Sequence, residues 1–365
     1  MSTALPIEAK KALRRELEAA GVFERTPLAS LGLLLAMLAG LGATFAAAAA
    51  LGGVAWFALI PVAAVFTTVA AMLGHEGGHR SFSSERWKNE ALLTVTFPLL
   101  AGFSSAYWTY KHNILHHGHP NDVDLDPDVG LWPMTSNRRD HLRAGAARRW
   151  FQRHLQGWFF WPMTTLIHAA MRGAALGFMF DKWKRGPRSS LLVLDTVAIA
   201  LHLVLWIALP ATVYGLGWTL LFYAAFWSVV SFYLGTIFAP AHMGLALTDA
   251  ATAEGADGWV LQLHTTRNIR LPRALSWMYV GLDYQIEHHL FPLMPHQRSA
   301  RAGPIVRAWA ERHGLPYREV GFLEGYRDVK RFMDGAWDVE PEAPADPRGE
   351  PRAAPLALAA VSGPR

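Results

Sequence analysis

The sequence contains no cysteine among its 365 residues. This absence excludes disulfide bonds, cysteine-ligated iron–sulfur clusters and thiolate-bound haem within the chain. Charge is also scarce, since 17% of the residues are charged whereas 52% are hydrophobic. The formal net charge is only +5, so we expect no nucleic-acid partner. The composition instead favours a protein that buries much of its surface in lipid.

No charged residue occurs from Pro27 to Gly74 or from Thr196 to Thr248. Each run is long enough for two crossings, because about 20 apolar residues span the hydrocarbon core. Turns at Gly52–Gly53 and Tyr214–Gly217 divide the two runs. We therefore predict an all-α integral membrane protein with four transmembrane helices, at about 28–51, 54–74, 190–213 and 217–240. A signal peptide would be shorter and nearer to the start, so none is expected.

Lysine and arginine are concentrated between the second and third predicted spans and are absent from both short turns. The positive-inside rule therefore places this middle segment and both termini in the cytoplasm. Two apolar stretches within it, Ala91–Tyr107 and Trp158–Phe180, are interpreted as interfacial or shallow helices. If both were full spans, residues 112–117 would lie on the opposite face of the membrane.

The chain divides into three predicted parts. Residues 1–26 form a polar, helical segment in the cytoplasm, and residues 27–320 form the membrane domain with a cytoplasmic helical cap. Residues 338–365 are rich in proline, alanine and charge, which predicts a disordered tail.

Seven of the 16 histidines fall into three tight clusters, which are His75 and His79; His112, His116 and His117; and His288 and His289. The four-residue spacing in the first cluster puts both imidazoles on one helical face, which suits a metal. In the second, His112 and His116 share a face while His117 is rotated by about 100° from His116, so adjacent histidines can reach toward two metals. His242 ends the fourth predicted span.

With four crossings, all eight of these histidines arrive on one side of the membrane. A catalytic zinc takes about three protein ligands, so eight imidazoles suit a site for two metals. Imidazole binds zinc, copper, iron and nickel, which leaves the metal open at this point. The stretch HEGGH fits the zinc-protease pattern H-E-x-x-H, but its two central glycines disfavour such a helix. A membrane zinc hydrolase is therefore the less favoured alternative.

A non-enzymatic metal-binding or transport protein is a further alternative. Such a protein would be expected to carry histidines within its spans, where only His202 lies. We interpret His202 as a bundle-facing side chain that is hydrogen-bonded to a neighbour.

The motifs HEGGH, HNILHH and DYQIEHHLFPLMP resemble the three histidine boxes of the membrane fatty acid desaturases. The resemblance covers roughly residues 30–320 and extends to HHGHPNDVDLDPDV and TTRNI. It implies a non-haem di-iron site that uses O2 to remove hydrogens from an acyl chain, carried as a lipid or a thioester. On this resemblance the iron ligands are His75, His79, His112, His116, His117, His242, His288 and His289.

Two departures from the family pattern bear on mechanism and partners. Gln285 stands where many relatives have histidine, as in front-end and some bacterial desaturases, and acts either as a weak ligand or as a hydrogen-bonding neighbour. We count it as a candidate catalytic residue.

The H-P-G-G haem signature of fused cytochrome b5 domains is absent from the sequence. We therefore expect a separate electron donor, which is a ferredoxin, a cytochrome b5-like protein or a flavoprotein reductase.

Some neighbouring residues keep two interpretations. Glu76 and Glu287 either orient ligand imidazoles or are solvated, and His264 is at most a neighbour of the ligands. The aspartates from Asp122 to Asp128 lack the glycine and glutamate of an EF-hand and are interpreted as a capping and orienting loop. The same metal centre also serves hydroxylases of lipids, sphingoid bases, carotenoids or alkanes, and spacing does not separate the two reactions.

Overall fold

The computed structural model describes residues 5–186 and 189–342. Its regular secondary structure is almost entirely helical, and four of its helices are long and apolar enough to cross a membrane. These four spans are Pro27–Leu51, Ile60–Gly78, Ser190–Tyr214 and Leu216–His242. The predicted fold class and the number of spans are confirmed. The second span begins later than expected, because the separate turn Ala55–Ala58 precedes it and Pro61 occupies its first turn.

The third span is not a uniform α-helix. Ser190–Leu203 is followed by the π-helical turn Val204–Ala208 and then by Leu209–Tyr214. The remaining helices surround the spans. They are Ile7–Ala19, Arg86–Thr94, Val95–Ala101 (π), Ser105–Trp108, Thr109–His116 (π), Arg138–Arg143, Ala146–His154, Gln156–Thr164, Ile167–Arg185, Ala250–Ala253, Gly258–Thr265, Arg273–Ser276, Trp277–Tyr279 (3-10), Gln285–Leu290, His296–Arg298 (3-10), Ser299–Arg312, Phe322–Gly335 and Ala336–Asp338 (3-10).

A bent helix pair lies between the second and third spans. Arg86–Ala101 and Ser105–His116 meet at 112°. The pair starts beside the second span, where Gly77 packs against the backbone of Asn89, and returns to it, where His112 Nε2 lies 3.0 Å from His75 Nε2. The chain therefore enters the bundle and leaves at the same end. This agrees with the interpretation of 91–107 as a shallow segment.

The second apolar stretch forms Gln156–Thr164 and Ile167–Arg185. Its outward side chains are exposed, including Trp158 at 71% and Phe180 at 69%. Aromatic residues of this kind are enriched at membrane interfaces, and the interfacial location of this stretch stays a prediction.

The helices after the fourth span form a cap with its own apolar core. The amino-terminal helix Ile7–Ala19 packs on Ser299–Arg312, and Trp309 donates its indole N–H to the carbonyl of Ala9 at 3.0 Å. Two short parallel strands, Asn268–Arg270 and Glu319–Gly321, add the strand pairing that an all-α prediction does not include.

The predicted disordered tail lies mostly outside the described residues. Its first residues, 338–342, are held by hydrogen bonds, because Val339 accepts from the amide of Arg138 and Glu342 donates to Leu247.

Candidate metal centre

Box one occupies the last turn of the second span. His75 lies within the helix Ile60–Gly78, and His79 is the residue that caps it. The two glycines between them are explained by packing. A Cβ on Gly77 would meet the carbonyl oxygen of Asn89 at 2.6 Å, and one on Gly78 would meet the ring of Trp108 at 2.0 Å. The glycines therefore let the bent helix pair approach box one closely.

Box two lies on the returning arm of the bent pair. Ser104 caps this arm, since its side chain accepts from the amide of Tyr107. The stretch Thr109–His116 is π-helical, and the amide of His117 donates to the carbonyl of His112 at 2.9 Å. His112 and His116 stack at 5.2 Å, as their spacing suggests. The i→i+5 pattern also brings His117 Nε2 within 3.2 Å of His112 Nε2.

Box three is the helix Gln285–Leu290, all of whose residues are buried. It lies beside the end of the fourth span, where His242 is the last helical residue. Gln285 Nε2 lies 2.9 Å from His242 Nε2. The three boxes and His242 therefore meet at one end of the bundle, as the sequence predicts.

The ring nitrogens of these eight histidines form two groups with a link between them. His75, His79, His112 and His288 offer nitrogens within 4.8 Å of one another, and so do His116, His242 and His289. His117 joins the two groups, because it forms a third set with His288 and His289. The arrangement matches two adjacent metal positions, with His117 between them.

Three histidines of the cluster have their Nδ1 atoms fixed by acceptors. His116 Nδ1 lies 2.9 Å from Asp126 Oδ2, His242 Nδ1 lies 3.2 Å from the carbonyl of Thr265, and His289 Nδ1 lies 2.7 Å from Gln262 Oε1. The Gln262 amide is oriented by its own donation to the carbonyl of His117. Since each partner accepts, the Nδ1 atoms carry the protons, and the Nε2 lone pairs face the cluster.

The chemistry of the donor set fits metal ions. Burial first, and then the neighbouring imidazoles, hold the pKa of His79, His288 and His289 well below the usual range, so these rings are neutral near pH 7. Among the described residues, no hydrogen-bond partner exists for the buried atoms His79 Nε2, His289 Nε2 and Gln285 Oε1. Buried acceptors of this kind normally have a partner, and a metal would supply it.

The two glutamates next to ligands face away from them. Glu76 accepts from Ser30 Oγ at 2.7 Å and from the amide of His296 at 3.0 Å. Glu287 accepts from Asn268 at 2.8 Å and from Tyr317 at 2.9 Å, and burial raises its pKa to about 7. Neither of their two interpretations holds, because both residues are buried, at 3% and 0% exposure, and among the described residues their hydrogen bonds go to side chains and an amide outside the ligand set. Both carboxylates instead join neighbouring segments of the chain around the boxes.

Sequence reasoning found the ligands but not their supporting partners. The loop that contains Asp126 is predicted to cap and to orient, and Asp126 does both. It accepts from the amide of Asn121, and it orients His116 through Nδ1. Gln262 carries no sequence signal, since only the fold brings it to the histidines. Thr265 begins the TTRNI stretch of the resemblance, but the sequence does not indicate that its carbonyl orients His242. His264, at 8% exposure, joins none of the metal-ligating groups of the described residues. Trp108 lies against His112 in a stacked contact of 4.5 Å.

Comparison with known proteins agrees with this geometry. A family model described as fatty acid desaturase matches residues 54–321. The chain is 28% identical to fatty acid desaturase 3 of Homo sapiens over 73% of its length, and 29% identical to acyl-lipid (9-3)-desaturase of Physcomitrium patens over 72%. These matches span 58% and 49% of those relatives. The acyl-lipid (8-3)-desaturase of Rebecca salina is 30% identical, with 88% of this chain and 72% of the relative covered. This chain belongs to the fatty acid desaturase family.

Proposed function

We propose that this protein is a fatty acyl desaturase with two non-haem irons, held by its eight clustered histidines. The observation that carries the proposal is the pair of inward-facing histidine groups joined by His117 at one end of a membrane bundle. Bound iron, with O2, supplies an oxidant able to remove hydrogen from an unactivated methylene. Per turnover, one –CH2–CH2– unit, O2, two electrons and two protons give one –CH=CH– unit and two waters.

The residues of the chain have separate roles in this proposal. His75, His79, His112 and His288 hold one metal position, and His116, His242 and His289 hold the other. Asp126, Thr265 and Gln262 orient three of these rings through their Nδ1 atoms. Gln285 is the candidate catalytic residue, because its amide touches His242 and its free oxygen is buried in the site.

Trp108 covers His75 and His112 and keeps water from that side of the centre. The distribution of lysine and arginine supports a multi-pass orientation with the site and both termini in the cytoplasm. The substrate is a fatty acyl chain on a lipid or thioester, and its electrons come from a separate carrier, which is a ferredoxin, a cytochrome b5-like protein or a flavoprotein reductase. The names of two relatives, both acyl-lipid desaturases, support the lipid form.

Lipid profiling of an expressing host tests the proposal. A host that lacks the product and supplies a broad electron-donor system should gain one unsaturated fatty acid, seen as a new methyl ester two mass units below its parent. The His288→Ala variant, expressed to the same level, is the matched control and should give none. Elemental analysis of the purified protein should return about two irons per chain.

The outcomes separate the alternatives. A new hydroxylated acyl chain in place of an unsaturated one would assign the centre to hydroxylation. One zinc with negligible iron, and no activity after iron loading, would contradict the di-iron proposal.

A further inference from the structure

The bent helix pair contains a break inside the bundle. Its first arm ends at Ala101 and its second begins at Ser105, with Gly102 at φ +71° between them. A helix end leaves its last carbonyls and first amides without intrahelical partners. Within a membrane-embedded bundle, water does not satisfy such groups, so side chains must do so.

The carbonyl end of the break is held by cationic and imidazole donors. The carbonyl of Ala101 accepts from Arg172 Nη2 at 2.6 Å and from His168 Nε2 at 2.7 Å. The carbonyl of Leu99 lies 3.1 Å from His202 Nδ1. A positive group at a helix carboxyl end is favoured by the helix dipole, so the sign of Arg172 suits its place.

The amide end is held by an acid of the third span. Asp195 Oδ2 accepts from the hydroxyl of Ser104 at 2.5 Å and from the amide of Ala106 at 2.9 Å. The residue is fully buried at 0% exposure. A carboxylate at a helix amino end is again the sign that the dipole favours. An acidic side chain in a span is costly, and such residues commonly serve function.

The arm that Asp195 holds is the one that carries box two. Residues Ser105–His116 run without interruption, first as α-helix and then as π-helix, to His117. From Ala106 to His112 the arm is only about 9 Å long, so its direction is set close to the metal centre. Histidine ligands must be held within about 0.5 Å of their working geometry. A change in the angle of the break therefore moves three of the eight histidines together.

We propose that Asp195 is a positioning residue for the metal centre, which it never touches. Arg172 holds the carbonyl end of the helix break and Asp195 holds the amide end. Together they fix the angle of the break so that the box-two histidines face the other two boxes. This inference rests on the proposed metal function, because it takes His112, His116 and His117 as ligands.

Hydrogen exchange on the metal-free protein in detergent tests the clamp without any metal. Replacing Asp195 by alanine removes the cap on the second arm, so peptides covering 102–117 should exchange about tenfold faster. Asp195→Asn keeps an acceptor but loses the charge, and should lie between Asp195→Ala and the parent. Thr196→Val is the matched control. It removes a polar contact of the same span, to Trp183, that lies away from the break, and should match the parent over 102–117.

Metal titration tests the positioning role. Asp195→Ala should bind Co²⁺ about tenfold more weakly than the parent and show an altered visible absorption band, as is expected when the support of ligands is lost. The Thr196→Val control should keep the affinity and the spectrum. If Asp195→Ala does not accumulate, Asp195→Asn and Ser104→Ala provide the test, since Ser104→Ala removes the capping hydroxyl and leaves the span unchanged.

The results distinguish the two proposals. Unchanged exchange over 102–117 in folded Asp195 variants would overturn the clamp. Faster exchange with unchanged Co²⁺ affinity and spectrum would overturn the positioning role. A parent protein that binds no Co²⁺ or iron would instead refute the proposed metal function, while the exchange data would still decide the clamp.

Discussion

Two sets of buried histidines in this protein use their nitrogens in different ways. The eight histidines of the metal centre turn Nε2 atoms toward one another, as in the 3.1 Å approach of His117 to His288. Of the two bundle histidines, His168 turns Nε2 toward the carbonyl of Ala101, and His202 turns Nδ1 toward the carbonyl of Leu99. His202 also lies 2.7 Å from the hydroxyl of Tyr223. All of these histidines except the half-buried His117 are buried, so burial alone does not separate the two sets. What separates them is whether Nε2 faces other imidazoles, as in the metal centre, or oxygen atoms of the protein, as in His168 and His202.

The largest expected effect is at the adjacent pairs of the metal centre. His116→Ala, His117→Ala, His288→Ala and His289→Ala should each abolish desaturation and lower iron from about two to one or fewer per chain. Neither member of a pair can replace the other, because the two rings of each pair are nearly perpendicular, at 85° and 86°. Elemental analysis and lipid profiling measure both results.

His154→Ala is the control, since His154 is exposed and, within the described residues, its hydrogen bond stays in its own helix, to the carbonyl of Trp150. It should retain activity and iron. Retention of both irons in the four adjacent-pair variants would remove the distinction between the two sets.

A smaller effect is expected one contact outside the centre. Asp126→Asn weakens the bond that orients His116, so iron affinity should fall by about tenfold with the protein still folded. Asp124→Asn is a matched control on the same loop, because among the described residues the Asp124 side chain pairs with the half-buried Arg139 and with no histidine. Competition with a chelator measures the iron affinity of both variants. Equal affinities would mean that His116 needs no orienting partner.

The smallest effect on the metal is expected at a bundle histidine. His202→Gln can still donate to the carbonyl of Leu99 but cannot also meet Tyr223, so the free energy of unfolding should fall by about 1 kcal/mol. Metal content should stay at the parent value. Thermal unfolding and elemental analysis of the same preparation check this. A loss of iron greater than the loss of folded protein would place His202 among the residues that the centre depends on directly.

The parts of the structure that the sequence predicts are those set by local patterns. The uncharged runs give four spans to within a few residues at most ends, because bilayer thickness fixes their length. The interpretation of His202 as a hydrogen-bonded, bundle-facing residue is confirmed. The three boxes were identified by their motifs, and the fold brings them together.

What escaped prediction depends on contacts across the chain or on backbone geometry. The π-helix at Thr109–His116 adds a five-residue pairing of His117 with His112, and hydropathy carries no signal for that register. Gln262 is separated by 27 residues from His289, which it orients. Asp195 immediately precedes the uncharged run that begins at Thr196, and only the fold shows the helix break beside it.

The glycines of box one limit how this centre can be transplanted. The space that side chains would fill at Gly77 and Gly78 is occupied by Asn89 and Trp108. Grafting HEGGH alone onto another helical bundle therefore transfers the two histidines without the groups that fill the space beside Gly77 and Gly78. Residues 86–108 would have to be moved with the motif. The smallest unit that can be grafted is therefore the second span together with the first arm of the bent helix pair and the start of its second arm.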